Sequence, residues 1–184
     1  QQFMKTAFFD FDGVVVDTEP IYDIYWNEAG ERYQTGIPNF ASHIKGTTLP
    51  YILDKYFSDR SEEFKEMVTR ESMDFEQKMP FPPVPGAMEF IHLLKGKGVK
   101  VGLVTSSDNA KLERAFRLLK LDNLFDTVVS ADRITKGKPD PMCYQLAASD
   151  LHVSPADCLV FEDSFAGIQA GTNAGMRVIG LSPT

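Results

Sequence analysis

The chain has 184 residues, 43% of them apolar and 24% charged, with a net charge of −7. This composition is ordinary for a globular protein of one or two domains, and an acidic balance without a basic patch argues against nucleic acid or an anionic membrane as the main partner. No apolar run reaches the ~18 residues of a membrane span, no basic start leads into an apolar signal region, and Cys143 and Cys158 lack metal spacing, so the expected setting is a reduced, cytoplasmic one with both cysteines packed inside.

In chain order, "TAFFDF" predicts a first buried strand near residue 8, followed at once by Asp10, Asp12 and Gly13. "PIYDIYWNEAGERY" predicts a helix. "SEEFKEMVTRESMDFEQKM" predicts another, with Ser61 as N-cap, acids in the first turn, and Phe64, Met67, Val68 and Phe75 on one face. The Pro-rich "MPFPPVPGA", Met79 to Ala87, reads as a stiff return hinge. Ala87, Phe90, Ile91 and Leu94 have helical spacing, and "VKVGLV" is a second strand near residue 101. Leu112, Ala115, Phe116 and Leu119 mark the next helix, and "TVV" a strand near 128. Asp140 is the expected N-cap of a helix with Pro141 at its first position. "CLVF" near 160 is a fourth strand, Ser164 caps a small-residue helix running through Ala174, and "RVIGL" near 179 is a fifth strand.

Strand and helix alternate, which predicts an α/β fold with a doubly wound, Rossmann-like parallel sheet. Later strands keep roughly the 30-residue spacing of βαβ units, but about 90 residues separate Asp10 from Val101. The excess reads as an α-helical cap domain of residues 17–82, inserted in a core made of residues 1–16 and 83–184.

In open α/β sheets the ligand sits beyond the carboxyl ends of the strands. Asp10, Asp12 and Gly13 follow the first strand; Thr105, Ser106 and Ser107 the second; Lys136, Gly137, Lys138 and Pro139 the third; Glu162 and Asp163 the fourth. Carboxylates without His or Cys partners suit a hard, oxygen-preferring cation, most naturally Mg²⁺. Hydroxyls and backbone N–H groups at a strand-to-helix turn suit phosphate, and a lysine offsets its charge. A carboxylate can also attack phosphorus to give an aspartyl-phosphate.

"DFDGVVVDTEP", "VTSS", "KGKPDP" and "VFEDSFAGIQAGTNAGM" resemble, in this order, the four motifs of the haloacid dehalogenase superfamily. The likeness covers nearly the whole chain and is closest to the capped phosphatases and β-phosphoglucomutase-like proteins. It implies that Asp10 is the nucleophile and that Asp12 protonates the leaving oxygen and then activates water. It implies Mg²⁺ held by the Asp10 carboxylate, the Asp12 backbone carbonyl and the Asp163 carboxylate, with Glu162 a further ligand or the holder of a metal-bound water. Thr105 and Ser106 are implied to bind the transferring phosphoryl group and Lys138 to neutralise it.

The resemblance also separates two reactions. The mutases carry a His shortly after the "DT" pair and a cap "KG" followed by Arg; here Tyr22 and Leu49 stand at the His and Arg positions, while Lys45 and Gly46 are kept. A mutase must hold a second phosphate on its cap, and one cation fewer is available for it. The expectation is a phosphatase acting on a small phosphorylated, sugar phosphate-like metabolite, with a β-phosphoglucomutase-type phosphotransferase as the alternative and a monomer as the default. Dehalogenation is disfavoured because Asp12 is superfluous to it. Response-regulator receivers place their acceptor after the third strand and lack a cap. Of the remaining residues, Lys45 is the cap group expected to reach substrate. Asp17 and Glu19 read as hinge or helix-dipole residues, with Glu19 facing the site as the alternative, Ser107 as an N-cap, and Lys136 as solvated. His43, His92 and His152 read as surface or structural, and Tyr25 and Trp26 as cap core.

Overall fold

The structure is a computed structural model and describes residues 5–182. Strands β1 (Thr6–Phe9), β2 (Lys100–Val104), β3 (Thr127–Val129), β4 (Cys158–Glu162) and β5 (Arg177–Gly180) form one parallel sheet in the order β3-β2-β1-β4-β5. All four residues of β1 are buried, which is why Ala7, Phe8 and Phe9 are consecutive apolar residues and do not alternate with polar ones: a central parallel strand is covered on both faces. Phe9 lies in register with Leu103 on β2 and Phe161 on β4. The residues that follow, Asp10, Thr105 and Glu162–Asp163, therefore leave the sheet together at its carboxyl edge.

Successive residues of β1 feed opposite layers. Ala7 and Phe9 pack with Ile91 of helix α5 (Ala87–Gly96) and with Leu112 and Ala115 of helix α6 (Asn109–Leu119). Phe8 packs with Tyr144 and Ala147 of helix α7 (Met142–Asp150) and Ala170 of helix α8 (Phe165–Asn173). Four more helices stand between β1 and β2: α1 (Glu19–Arg32), α2 (Phe40–Ile44), α3 (Leu49–Phe57) and α4 (Glu62–Glu76). They enclose an apolar cluster of their own around Trp26, Phe40, Phe57 and Val68. Ser61 caps α4 by accepting the Phe64 N–H at 3.1 Å, and Thr48 caps α3 by accepting the Tyr51 N–H at 3.3 Å. The chain leaves and re-enters through two paired segments. Asp17 N donates to Pro82 O at 2.6 Å and Val84 N to Val15 O at 2.9 Å.

One helix start differs from expectation. Helix α7 begins at Met142 and Pro141 itself occupies the N-cap position. The Asp140 carboxylate still caps it, accepting the Met142 N–H at 2.9 Å, because a short acidic side chain reaches an orphan N–H two residues on.

Candidate active site

Asp10 continues β1, its N–H donating to Phe161 O at 3.1 Å. Its carboxylate is buried beside the Lys138 ammonium, which donates to Asp10 Oδ1 at 3.1 Å, Glu162 Oε1 at 2.6 Å and Val104 O at 2.9 Å. Lys138 is only 1% exposed and Glu162 fully buried. Burial alone would favour a neutral Lys138, but Asp10 and Glu162 overcome it and hold the ammonium above its ordinary value. Glu162 Oε1 also accepts the Tyr144 hydroxyl at 2.5 Å. The turn after Asp12 needs Gly13, at φ +81°, because a Cβ there would lie 1.8 Å from Asp163 Oδ2.

Carboxylate oxygens of Asp10, Glu162 and Asp163 lie within 4.8 Å of one another. Among the described residues, buried Glu162 Oε2 has no hydrogen-bond partner, and Asp163 Oδ2 has only the Lys45 ammonium at 3.4 Å. Burial first, then the Asp10 charge, pushes both acids up to about 8. Under-partnered, mutually repelling carboxylate oxygens are costly in this form and well matched to a hard divalent cation with oxygen ligands. The residues fit Mg²⁺.

Asp12 faces away from that trio. Its Oδ1 accepts from Thr18 Oγ1 at 2.6 Å, and its Oδ2 from Ser107 Oγ at 3.1 Å and Lys111 Nζ at 2.6 Å. Ser107 therefore serves the site, and the N-cap of α6 is Asp108, which accepts the Lys111 N–H at 2.9 Å. The cap falls one residue later than expected, which frees the Ser107 hydroxyl for Asp12. Lys111 was not among the expected site residues. It is as buried as Lys138, lies 3.8 Å from Glu76 Oε2 and sits 4.7 Å over the Tyr22 ring. The available signal was its position four residues before Ala115, on the apolar stripe of α6, where a lysine needs a buried partner.

The phosphate-binding candidates divide. Ser106 lines the cavity between the helical insert and the sheet, and its hydroxyl donates to Gly46 O at 2.8 Å. Thr105 is buried at the end of β2 and its Oγ1 accepts the Ser107 N–H at 3.0 Å. Lys45 reaches across from the insert to within 3.4 Å of Asp163 Oδ2 and 3.7 Å of Glu19 Oε2. Glu19, expected at a hinge, is both the first residue of α1 and a wall of the cavity. Burial pushes it up to about 7, against the opposing pull of Lys45. Asp17 and Lys136 are exposed, as are His43, His92 and His152.

The cavity has a volume of about 390 Å³, in the range of small-molecule sites. Trp26 belongs to the insert's apolar cluster and also lines the cavity. Tyr25 stacks on Phe75 at 4.2 Å and is core. Tyr22 donates its hydroxyl to Glu76 Oε2 at 2.6 Å, and Leu49 presents an apolar side chain to the same space.

Residues 7–181 match the family model described as haloacid dehalogenase-like hydrolase. A phosphorylated carbohydrates phosphatase of Thermotoga maritima is 33% identical, over 97% of this chain and 85% of its own length. A β-phosphoglucomutase of Bacillus subtilis is also 33% identical, over 97% of this chain and 83% of its own length. The crystal structure of a β-phosphoglucomutase from Clostridium difficile superposes with a TM-score of 0.81 at 26% identity, covering 97% of this chain and 84% of that one.

Proposed function

We propose that this chain, which belongs to the haloacid dehalogenase-like hydrolase family and is an enzyme of it, is a Mg²⁺-dependent phosphatase that hydrolyses a small, sugar phosphate-like metabolite through a phosphorylated Asp10. In this reading residues 17–82 are the cap and residues 1–16 and 83–184 the catalytic core. The observation that carries it is the division of the carboxylates: Asp10, Glu162 and Asp163 converge on one point, while Asp12 is held apart by Thr18, Ser107 and Lys111.

Asp10 attacks phosphorus as the bond to the leaving oxygen breaks, and Asp12 gives that oxygen its proton. Asp12, now a carboxylate, takes a proton from water. The resulting hydroxide attacks phosphorus, the bond to Asp10 breaks, and phosphate leaves. Lys138, with Ser106 and Thr105 at the end of β2, balances and orients the transferring group. Asp10, Asp163 and the Asp12 carbonyl would hold Mg²⁺, with Glu162 behind them or on a bound water; the ion supplies positive charge to the phosphoryl oxygens.

The mutase alternative draws on the Bacillus subtilis relative's name. Against it stand Leu49 and Tyr22, an apolar and a neutral group lining the cavity where the mutase pattern has a cation and a His. The test is phosphate release from p-nitrophenyl phosphate with and without Mg²⁺. Release should require the ion and vanish in Asp10→Asn; an active Asp10→Asn enzyme would remove the nucleophile assignment. With β-glucose 1-phosphate and a catalytic bisphosphate, free phosphate should accumulate. Glucose 6-phosphate as the main product instead makes the protein a mutase.

A further inference from the structure

The lining of the cavity beyond Asp10 and Asp12 has an unusual charge. Glu19, Asp23, Glu76, Asp108 and Asp132 line it, against Lys45 and Lys111, and no arginine is present among its lining residues. Both lysines are already engaged by carboxylates: Lys45 by Asp163 and Glu19, Lys111 by Asp12 and Glu76. The cations therefore offer little to a second anionic group, and the remaining carboxylates repel one. Asp108 and Asp132 accept the backbone N–H groups of Lys111 and Asn109, and Asp23 is exposed. Burial raises Glu19 and Glu76 even against the pull of Lys45 and Lys111, so each still gains from a further cation entering this space. Apolar side chains of Trp26, Ile44, Leu49 and Met73 line the same cavity.

We infer that the substrate this site selects is a phosphomonoester of an amino alcohol or amino sugar, whose leaving alcohol carries an ammonium group toward Glu19, Asp23 and Glu76 and packs its carbon skeleton against Trp26 and Leu49. The inference rests on the phosphatase reading and narrows its substrate class. Charge complementarity along a cavity lining acts on substrate choice more than on the chemical step.

The experiment compares kcat/KM, at neutral pH with Mg²⁺, for esters that share one skeleton: glucosamine 6-phosphate, glucose 6-phosphate, 6-phosphogluconate and glucose 1,6-bisphosphate, with p-nitrophenyl phosphate as reference. The aminated ester should lead the neutral one by about fivefold to tenfold, and the two anionic esters should trail the neutral one by at least about tenfold. Asp23→Lys, a change at an exposed position, should shrink the amine preference and improve the anionic esters. Equal constants for the aminated and neutral esters, or a lead for either anionic ester, overturn the inference; turnover of p-nitrophenyl phosphate then leaves the phosphatase reading in place. Absence of turnover with every ester overturns both.

Discussion

Lys138 is the one cation in contact with both Asp10 and Glu162 among the described residues, and this makes its removal unlike that of a surface lysine. Lys138→Met keeps most of the side-chain volume and strands two buried carboxylates. The expected cost is about 3–5 kcal/mol in stability, the range for breaking a buried pair from one side, with activity lost as well. A melt of this variant at pH 5 should recover part of the difference, because the stranded acids can then protonate. The same acids set a pH dependence in the wild-type protein. Glu162 and Asp163 are pushed up to about 8 and Glu19 to about 7, so between the ordinary carboxylate range and those values the folded chain holds protons that the unfolded chain has released. Stability of the metal-free protein must therefore fall as pH rises from about 5 to about 8. Mg²⁺ should flatten that slope by lowering the same values. Thermal melts across this window, with EDTA or with Mg²⁺, check the sign; a rising slope, or no effect of the ion, contradicts the assignment of the three acids to a cation.

Between elements, the loop joining α2 to α3 seats on the start of α8. Gly46 there has φ +83°, and a Cβ would come within 2.1 Å of Ser164 Oγ, the hydroxyl that caps α8 through Gly167 N–H at 3.0 Å. Gly46→Ala should keep the insert from closing fully, since both the backbone angle and the contact resist it. Lys45 and the Ser106–Gly46 hydrogen bond would lose their positions together. KM should rise by about tenfold or more, given how steeply rate follows a misplacement of about 1 Å, while the melting temperature falls by only a few degrees. An unchanged KM would mean that closure does not depend on this contact. Gly46 was visible in "IKGTTLPYI" as part of a motif; its partner Ser164 was visible only as a helix cap. That the two touch across 118 positions of sequence has no periodic signature and emerges only when the insert folds back.

Across the whole molecule the same limit applies. Buried parallel strands are continuous apolar runs, so β1 to β5 were legible, and so were the acids, hydroxyls and lysine that end them. Local caps at Ser61 and Ser164 were legible because they need only three residues. Thr18, Lys111 and Glu76 were missed as site residues because their roles depend on which parts of the insert meet the sheet edge, 6 to 99 residues from Asp12 in the case of Thr18 and Lys111. These missed groups all lie on the seam between insert and core, which makes the seam the place where substrate choice and chemistry are joined. The two connecting segments run side by side, with Asp17 N on Pro82 O at 2.6 Å, so residues 18–80 can be replaced by a short turn without stretching the core. The helical insert buries its own cluster, and β1 stays covered on both faces by α5 to α8, so the shortened chain should fold, as read by circular dichroism and a cooperative melt. It would keep Asp10, Lys138, Glu162 and Asp163 but lose Thr18, Lys45 and the Glu76 partner of Lys111. Slow, Mg²⁺-dependent turnover of p-nitrophenyl phosphate should survive, while kcat/KM across a panel of phosphorylated metabolites collapses toward a single value. A folded, shortened protein that still ranks those metabolites as the intact enzyme does would show that the insert does not choose the substrate.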